Sequence, residues 1–182
     1  MSRTDARIRY TQGVLKQALL SFLQEKPINK ITVKEVCERA ELNRATFYAH
    51  YSDCFALLES IEEDLLEAFQ QSLKLVDSFD VTALIEAIYT MIERQQEASR
   101  VLIFQNVCPN VLRRMISLAR DKSIAYWKQH LHRVTEAELE MLYTHLSNGL
   151  MHVVVEGYEK YSREEVVRFV NRIVQCSLSQ FQ

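Results

Sequence analysis

Three features of the sequence predict an all-α fold. Hydrophobic residues make up 48% of the 182 positions and charged residues 25%, which is the composition of a globular protein with a packed core. Glycine and proline together occupy only 5 of the 182 positions, about 3%, whereas ordinary composition gives roughly 12%. A turn-rich all-β fold is therefore excluded. Apolar residues also recur at helical spacing over long segments that begin at helix-capping residues.

The first helix is predicted from about Arg3 to Gln24, and Pro27 stops it from continuing. Its apolar face is predicted to contain Ile8, Val14 or Leu15, Ala18, Leu19, Phe22 and Leu23.

Two short helices follow. Thr32 and Glu35 have the spacing of a capping box, which opens a helix that ends near Ala40. Asn43 is a good N-cap for a second helix from Arg44 to about His50, with Phe47 as its apolar anchor.

A long helix of roughly 25 residues is predicted next, capped by Ser52 or Asp53. Its apolar stripe is predicted to contain Phe55, Leu58, Ile61, Leu65, Leu66 and Phe69. A turn is predicted at Asp77 to Asp80.

The remaining chain reads as further helices with well-marked starts. Pro109 suits a first helical position, and Thr135 with Glu138 and Ser162 with Glu165 form capping boxes. The predicted segments are Val81 to Ala98, Arg100 to Gln105, Pro109 to His132, Glu136 to Lys160, and Arg163 to Ser179.

Charge is distributed unevenly along the chain. Residues 1–52 contain nine Lys or Arg and five Asp or Glu, a net charge of +4, whereas residues 53–182 contain 13 and 19, a net charge of −6. A basic N-terminal part suits a polyanionic partner. We therefore predict two domains, residues 1–52 and residues 53–182.

The two short helices have the arrangement of a helix-turn-helix, in which the second helix enters the major groove of DNA. The segment Ile31 to Ala40 (ITVKEVCERA), the segment Asn43 to Tyr51 (NRATFYAHY) and the pair Leu57-Leu58 resemble the N-terminal domain of TetR/AcrR-family transcriptional regulators. The resemblance covers residues 7 to 60. It implies an N-terminal three-helix DNA-binding domain followed by a helical bundle for regulation and dimerisation.

The resemblance also implies which residues contact double-stranded DNA. Thr32, Lys34, Thr46, Tyr48 and Tyr51 take positions that contact the DNA backbone. Arg44, Ala45 and His50 take positions that contact bases or adjacent phosphates, and the N-cap Asn43 completes the surface. The chemistry agrees, because Arg pairs with guanine, methyl groups meet thymine methyls and hydroxyls suit phosphates. Arg3, Arg7 and Arg9 are additional candidates for phosphate or minor-groove contacts.

Two positions depart from the family pattern. Glu41 stands where many members have a turn glycine, so either the turn is strained or it is built differently. Cys54 stands where many members have a lysine that binds phosphate, which removes one cationic contact.

The last two helices carry broad apolar stripes, with Gly149 and Gly157 allowing close helix approach. One interpretation is a doubly covered core; the other, which the resemblance favours, is a homodimer interface of two helices from each subunit. The resemblance further implies a small-molecule effector of unknown identity bound in the second region.

The sequence points to no other chemistry. The histidines are poorly spaced for a shared metal ion, nothing marks a nucleophile, and no cofactor is expected. Four scattered cysteines and the absence of signal-peptide or membrane-spanning patterns predict a cytoplasmic protein. The expected function is a homodimeric repressor of a palindromic operator. The alternative is a helical interaction protein that kept the helix-turn-helix but acts through a protein partner.

Overall fold

The computed structural model describes residues 3–74, 81–105, 108 and 110–181, with the side chains of residues 3 and 4 left out. Within these residues the chain forms helices and turns without strands, which confirms the all-α prediction. The helices are α1 (Arg3–Leu23), α2 (Val33–Arg39), α3 (Arg44–Tyr48), α4 (Cys54–Lys74), α5 (Val81–Arg94), α6 (Gln96–Ser99), α7 (Asn110–His130), α8 (Glu136–Gly157) and α9 (Arg163–Leu178). None of these helices is long and apolar enough to cross a membrane.

The chain packs as two compact units. The first unit contains residues 1–65 and 97–107, and the second contains residues 66–96 and 108–182. The chain passes from one unit to the other inside α4, inside α6 and after residue 107. The division of function at residue 52 stays a prediction, because it concerns which residues bind DNA rather than how the chain packs.

Local capping determines where the helices begin, as predicted. In the first capping box the backbone N–H of Glu35 donates to Thr32 Oγ1, and the N–H of Thr32 donates to Glu35 Oε2 at 2.9 Å. The boxes predicted at the starts of α8 and α9 are also present. Asp53 rather than Ser52 caps α4, because its Oδ1 accepts from the Ala56 N–H at 2.8 Å.

Two residues predicted for the core of the first unit are exposed instead. Phe55 is 58% exposed, because the buried face of α4 begins with Cys54, Leu57 and Leu58, about 100° away around the helix. Ile8 is 40% exposed, since the side chains of residues 5–10 are all exposed and the buried face of α1 begins at Thr11. The remaining predicted positions of both stripes are buried or half-buried.

The helices in the middle of the chain are shorter and more often interrupted than the sequence predicted. The helix expected over Val81 to Ala98 ends at Arg94, and the short α6 leads into a π-helical turn at Arg100–Phe104. Val101, Leu102 and Ile103 of that turn are buried. The predictions at Pro109 and at Asp77 to Asp80 lie outside the described residues.

Candidate nucleic-acid interface

The turn between α2 and α3 keeps a left-handed residue although it has no glycine. Glu41 has φ 54°, the only positive φ of a non-glycine residue in the described chain. The Leu42 N–H donates to the Cys37 carbonyl at 2.9 Å, closing the turn against the end of α2. Of the two alternatives from the sequence, the structure therefore has the strained turn, at a cost of about 1 kcal/mol.

Helix α3 begins at a cap made by two of the predicted site residues. Asn43 Oδ1 accepts from the Thr46 N–H at 2.7 Å and from Thr46 Oγ1 at 3.0 Å. This cap holds a helix of only five residues, which would be marginal in isolation. The helix ends at Tyr48 rather than His50, because Ala49 already forms its C-cap.

One residue of α3 faces inward and most of the others face solvent. Phe47 is fully buried and contacts the rings of Tyr48 and Tyr51 at centroid distances of 5.6 and 6.0 Å. Tyr48 is 58% exposed, and Arg44 and Ala45 are also exposed. Buried Phe47 thus orients a surface of one guanidinium, one methyl group and one phenol toward solvent. We call Arg44, Ala45, Thr46 and Tyr48 the α3 surface.

The N-terminus of α2 adds two further predicted residues. Thr32 and Lys34 are exposed, and Lys34 Nζ lies 3.7 Å from Glu38 Oε1. An exposed ion pair of this kind contributes little stability. The Lys34 ammonium therefore remains able to exchange Glu38 for an anionic partner.

His50 and Tyr51 are less accessible than the other predicted residues. His50 is half-buried, with its ring 6.3 Å from that of Tyr51. Tyr51 is only 8% exposed, and its hydroxyl accepts a hydrogen bond from Ser60 Oγ at 3.4 Å. The Tyr51 ring belongs to the core of the first unit, and a phosphate contact of its hydroxyl stays a prediction.

An open cleft of about 400 Å³ lies between the N-terminal part of α1 and α3. Its lining includes Arg7, Tyr10 and Thr11 from α1 with Thr46 and His50. Tyr10, 71% exposed, and Thr11 were not among the predicted site residues. Their spacing from Arg7 by three and four residues places all three on one helix face, a pattern that could have indicated them.

The start of α4 carries no cation. Cys54 is 5% exposed, and burial raises the pKa of its thiol to about 11, so it is neutral at physiological pH. This position therefore lacks the cationic contact that the family pattern places there. Among the described side chains, no three His, Cys, Asp or Glu residues form a group able to hold a metal ion.

Comparison with known proteins gives one relative by sequence. No family model matches the chain. An uncharacterised HTH-type transcriptional regulator, YxbF of Bacillus subtilis (strain 168), is 32% identical over 84 residues. That match covers 46% of this chain but only 21% of the relative's length.

Solved structures extend the similarity to nearly the whole chain. A TetR transcriptional regulator from Streptococcus agalactiae 2603V has a TM-score of 0.68 and 23% identity, covering 94% of this chain and 97% of its own. The dihydroxyacetone kinase operon activator DhaS has a TM-score of 0.64 and 15% identity, covering 94% and 98%. A TetR family transcription regulator from Marinobacter aquaeolei VT8 has a TM-score of 0.52 and 15% identity, covering 92% and 95%. The chain has the fold of TetR-type transcriptional regulators, which confirms the resemblance predicted from the motif at the level of the fold.

Proposed function

We propose that this protein is a sequence-specific DNA-binding transcriptional regulator and not an enzyme. The observation that carries the proposal is the α3 surface, which is exposed, polar and oriented by the buried ring of Phe47. It stands on a capped helix-turn-helix whose second helix is free to enter a major groove. Its operator DNA would lie in the bacterial cytoplasm.

The chemistry of the site divides the proposed contacts into two groups. Arg44 reads a base, because a guanidinium donates to guanine O6 and N7 together, and it has no ion-pair partner among the described residues. The methyl groups of Ala45 and Thr46 suit thymine. Lys34 and the hydroxyls of Thr32, Tyr48 and Tyr51, with the Asn43 amide and the His50 ring, contact the backbone and adjacent phosphates.

An apolar face on α8 and α9 supports the proposal of a homodimer. Val153, Phe169 and Ile173 are between 36% and 42% exposed, and Val153 and Phe169 line one shallow groove, so large apolar side chains are exposed together on two adjacent helices. A Cβ added at Gly149 would meet nothing within 4 Å, so a second helix can approach closely there. We call Gly149, Val153, Phe169 and Ile173 the α8–α9 face. Two copies joined through it would present two α3 surfaces to the half-sites of a palindromic operator.

The resemblance implies that the protein represses transcription and that a small effector controls it. An effector that binds one conformation of the dimer more tightly increases the population of that conformation. If that conformation also differs in its affinity for DNA, then DNA and effector change each other's affinity by the same factor. DhaS, a protein of this fold, is named as an operon activator. A promoter–reporter fusion carrying the operator therefore tests the sign, with repression as the expected result.

The proposal is tested by selecting bound sequences from a random DNA pool with the purified protein. We expect enrichment of a site with two-fold symmetry. Binding to that site should weaken by about 10³ to 10⁵ between 50 and 200 mM salt if the dimer makes six to ten phosphate contacts. A variant with both Arg44 and Lys34 replaced by alanine is the matched control, since both residues are exposed and lie outside the core.

The second candidate function is a helical interaction protein that acts through a protein partner. The carboxylate of Glu41 in the turn and the neutral Cys54 thiol favour it, because neither assists binding to phosphate. It predicts no DNA affinity even at low salt. A folded protein that enriches no sequence and binds no random DNA at low salt would mean that an effector or partner is required or that the motif is only a scaffold, and would favour this alternative.

A further inference from the structure

The cap of α3 holds the side-chain amide of Asn43 in one orientation. Its Oδ1 accepts two hydrogen bonds from Thr46, one from the backbone N–H at 2.7 Å and one from Oγ1 at 3.0 Å. The reverse orientation would place the NH2 group against the backbone N–H, so that two donors would face each other. The protein itself therefore fixes which side of the amide accepts and which side donates.

These two bonds use the accepting capacity of the amide. A carbonyl oxygen has two lone pairs, and Thr46 supplies two hydrogens to the Oδ1 of Asn43. The Nδ2 atom carries two hydrogens, and neither is donated to another residue in the described part of the chain. Because Asn43 is exposed, its side chain presents a partner with donors and with no free acceptor.

Asn43 stands directly before Arg44, the residue proposed above to read a base. In a helix-turn-helix the first residues of the second helix contact the base edges. The two hydrogens of Nδ2 allow one bond to a base edge in addition to the phosphate contact proposed above. The amide of Asn43 is thus placed to contribute to sequence preference as well as to affinity.

A hydrogen-bond donor distinguishes the four bases by the exocyclic group that each presents in the major groove. Guanine presents O6 and thymine presents O4, which are acceptors, whereas adenine and cytosine present amino groups, which are donors. Asparagine commonly reads adenine through a pair of bonds to N6 and N7, and this pair requires a free Oδ1. Since Thr46 occupies the Oδ1 of Asn43, that reading of adenine is closed here.

We propose that Asn43 is a specificity-determining residue that selects a keto base, guanine or thymine, at one position of each half-site. Adenine and cytosine are rejected at this position because their amino groups would face the Nδ2 hydrogens with no acceptor between them. In this contact Thr46 is a positioning residue, since it acts by occupying Oδ1 of Asn43. The inference rests on the proposed function, because it names the bases that the DNA-binding surface reads.

Repeating the selection from random DNA with Asn43→Ser tests the contact. Serine is also a good N-cap, so α3 should form while the amide donors are lost. We expect the wild type to enrich guanine or thymine at a position other than the one read by Arg44, and Asn43→Ser to lose that preference. Placing adenine or cytosine there in one half-site should weaken wild-type binding by about 5- to 150-fold and leave Asn43→Ser binding nearly unchanged.

Asn43→Asp inverts the contact with little change of shape. Aspartate keeps the cap, because one carboxylate oxygen accepts from Thr46, and it replaces the NH2 group by an acceptor. A carboxylate accepts from the amino group of a base. We expect the enriched bases at this position to change from guanine or thymine to cytosine or adenine. Affinity for all DNA should fall as well, since the carboxylate repels phosphates.

Two substitutions of Thr46 test why adenine is excluded. Thr46→Val removes the hydroxyl and frees one lone pair of the Asn43 Oδ1, so adenine should become accepted at the Asn43 position. Thr46→Ser is the matched control, because it keeps the hydroxyl and should keep the exclusion of adenine. Melting temperatures of all four variants check that each protein is folded.

The inference would be overturned by a folded Asn43→Ser protein that keeps every base preference of the wild type, because Asn43 would then act as a cap alone. Equal losses on all sequences would assign the amide to phosphate only and would also overturn it. Guanine or thymine still enriched by Asn43→Asp would contradict the reading by a donor. If Thr46→Val excludes adenine as strictly as the wild type, the positioning role of Thr46 is wrong.

Failure of this inference is distinguishable from failure of the proposed function. If the wild type enriches no sequence, the result counts against the proposed function itself, and the role of Asn43 falls with it. If the wild type enriches a symmetric site whose base preferences Asn43→Ser leaves unchanged, DNA binding stands and only the role of Asn43 fails.

Discussion

The two exposed surfaces of the protein differ in chemistry and in how they are held. The α3 surface is polar, and a five-residue helix holds it through the Asn43 cap and the buried Phe47 ring. The α8–α9 face is apolar and lies on helices of 22 and 16 residues. These helices are held by their buried sides, which include Leu146 on α8 and Val170 on α9. The first suits phosphates and base edges, and the second suits another apolar surface. The two proposed partners, DNA and a second copy of the chain, would therefore contact surfaces that are held in place by different kinds of interaction.

The largest effect is expected from a substitution that disrupts the α8–α9 face and leaves the α3 surface unchanged. Gly149→Arg should leave each subunit folded, because nothing lies within 4 Å of the added Cβ. It should convert the proposed dimer to monomer and lower operator affinity by about 10²- to 10⁴-fold through lost bivalency. Sedimentation equilibrium and DNA titration measure the two effects.

Gly13→Arg is the control for oligomeric state, since Gly13 is equally open but lies on α1. This variant should remain dimeric. A dimeric Gly149→Arg protein would contradict the assignment of the interface.

Changes on the α3 surface should separate base reading from phosphate binding. Arg44→Ala should relax the preference at one base position by about 1–3 kcal/mol. Tyr48→Phe should weaken binding to all sequences alike, because it removes only a hydroxyl from a ring that stays in place. Binding to the selected site and to random DNA is compared by fluorescence anisotropy. Equal losses on both DNAs from Arg44→Ala would remove it as a base reader.

Two helical glycines distinguish an open surface from a packed one, Gly13 on α1 and Gly157 on α8. A Cβ at Gly157 would lie 3.0 Å from Val166 Cγ2, and Val166 is 3% exposed and cannot easily move. Gly157→Ala should therefore destabilise the protein by about 1 kcal/mol despite better helix propensity. Gly13→Ala, where an added Cβ meets nothing within 4 Å, should stabilise it by about 0.5–1 kcal/mol. Urea unfolding midpoints test both, and shifts of the same sign would be inconsistent with this packing.

A substitution in the turn before α3 is expected to change the free energy of unfolding by a similar or smaller amount. Glu41→Gly should relieve the positive φ and stabilise the protein by about 1 kcal/mol. It should also strengthen binding to every DNA sequence, because it removes a carboxylate near the phosphates. Glu41→Ala is the matched variant, which should share the DNA effect but not the stability gain. If both variants unfold at the same urea concentration, the strain is not what limits stability here.

The smallest expected effect is a dependence of stability on acid, to which the α2 capping box contributes. The hydrogen bond from Lys26 and the bonds from Thr32 lower the pKa of Glu35 from 4.5 to about 2. A lowered carboxyl pKa means that the ionised form stabilises the fold above about pH 4.5, and this stability is lost as the pH falls toward 2. Glu35→Gln should flatten that part of the profile of melting temperature against pH. Parallel profiles for the two proteins would show that Glu35 does not contribute to acid sensitivity.

The sequence alone predicted the helix starts and the helix-turn-helix because both depend on contacts between near neighbours. Thr32 with Glu35 and Asn43 with Thr46 interact over three residues, so their spacing is visible in the chain. The same holds for Phe47, whose neighbours on α3 are too polar to form a core. The left-handed turn at Glu41 was not decided by sequence, since a glutamate there permits either conformation.

Only the tertiary structure decided which apolar residues are buried. Phe55 and Ile8 have helical spacing yet are exposed, because burial depends on which elements cover each face and not on periodicity alone. An apolar cavity in the second unit likewise follows from the packing of residues far apart in the chain, with Phe69, Trp127 and Val170 among its lining residues. The capping boxes and the recognition motif were therefore encoded locally, whereas the exposed apolar face and the cavity depend on how the helices fit together.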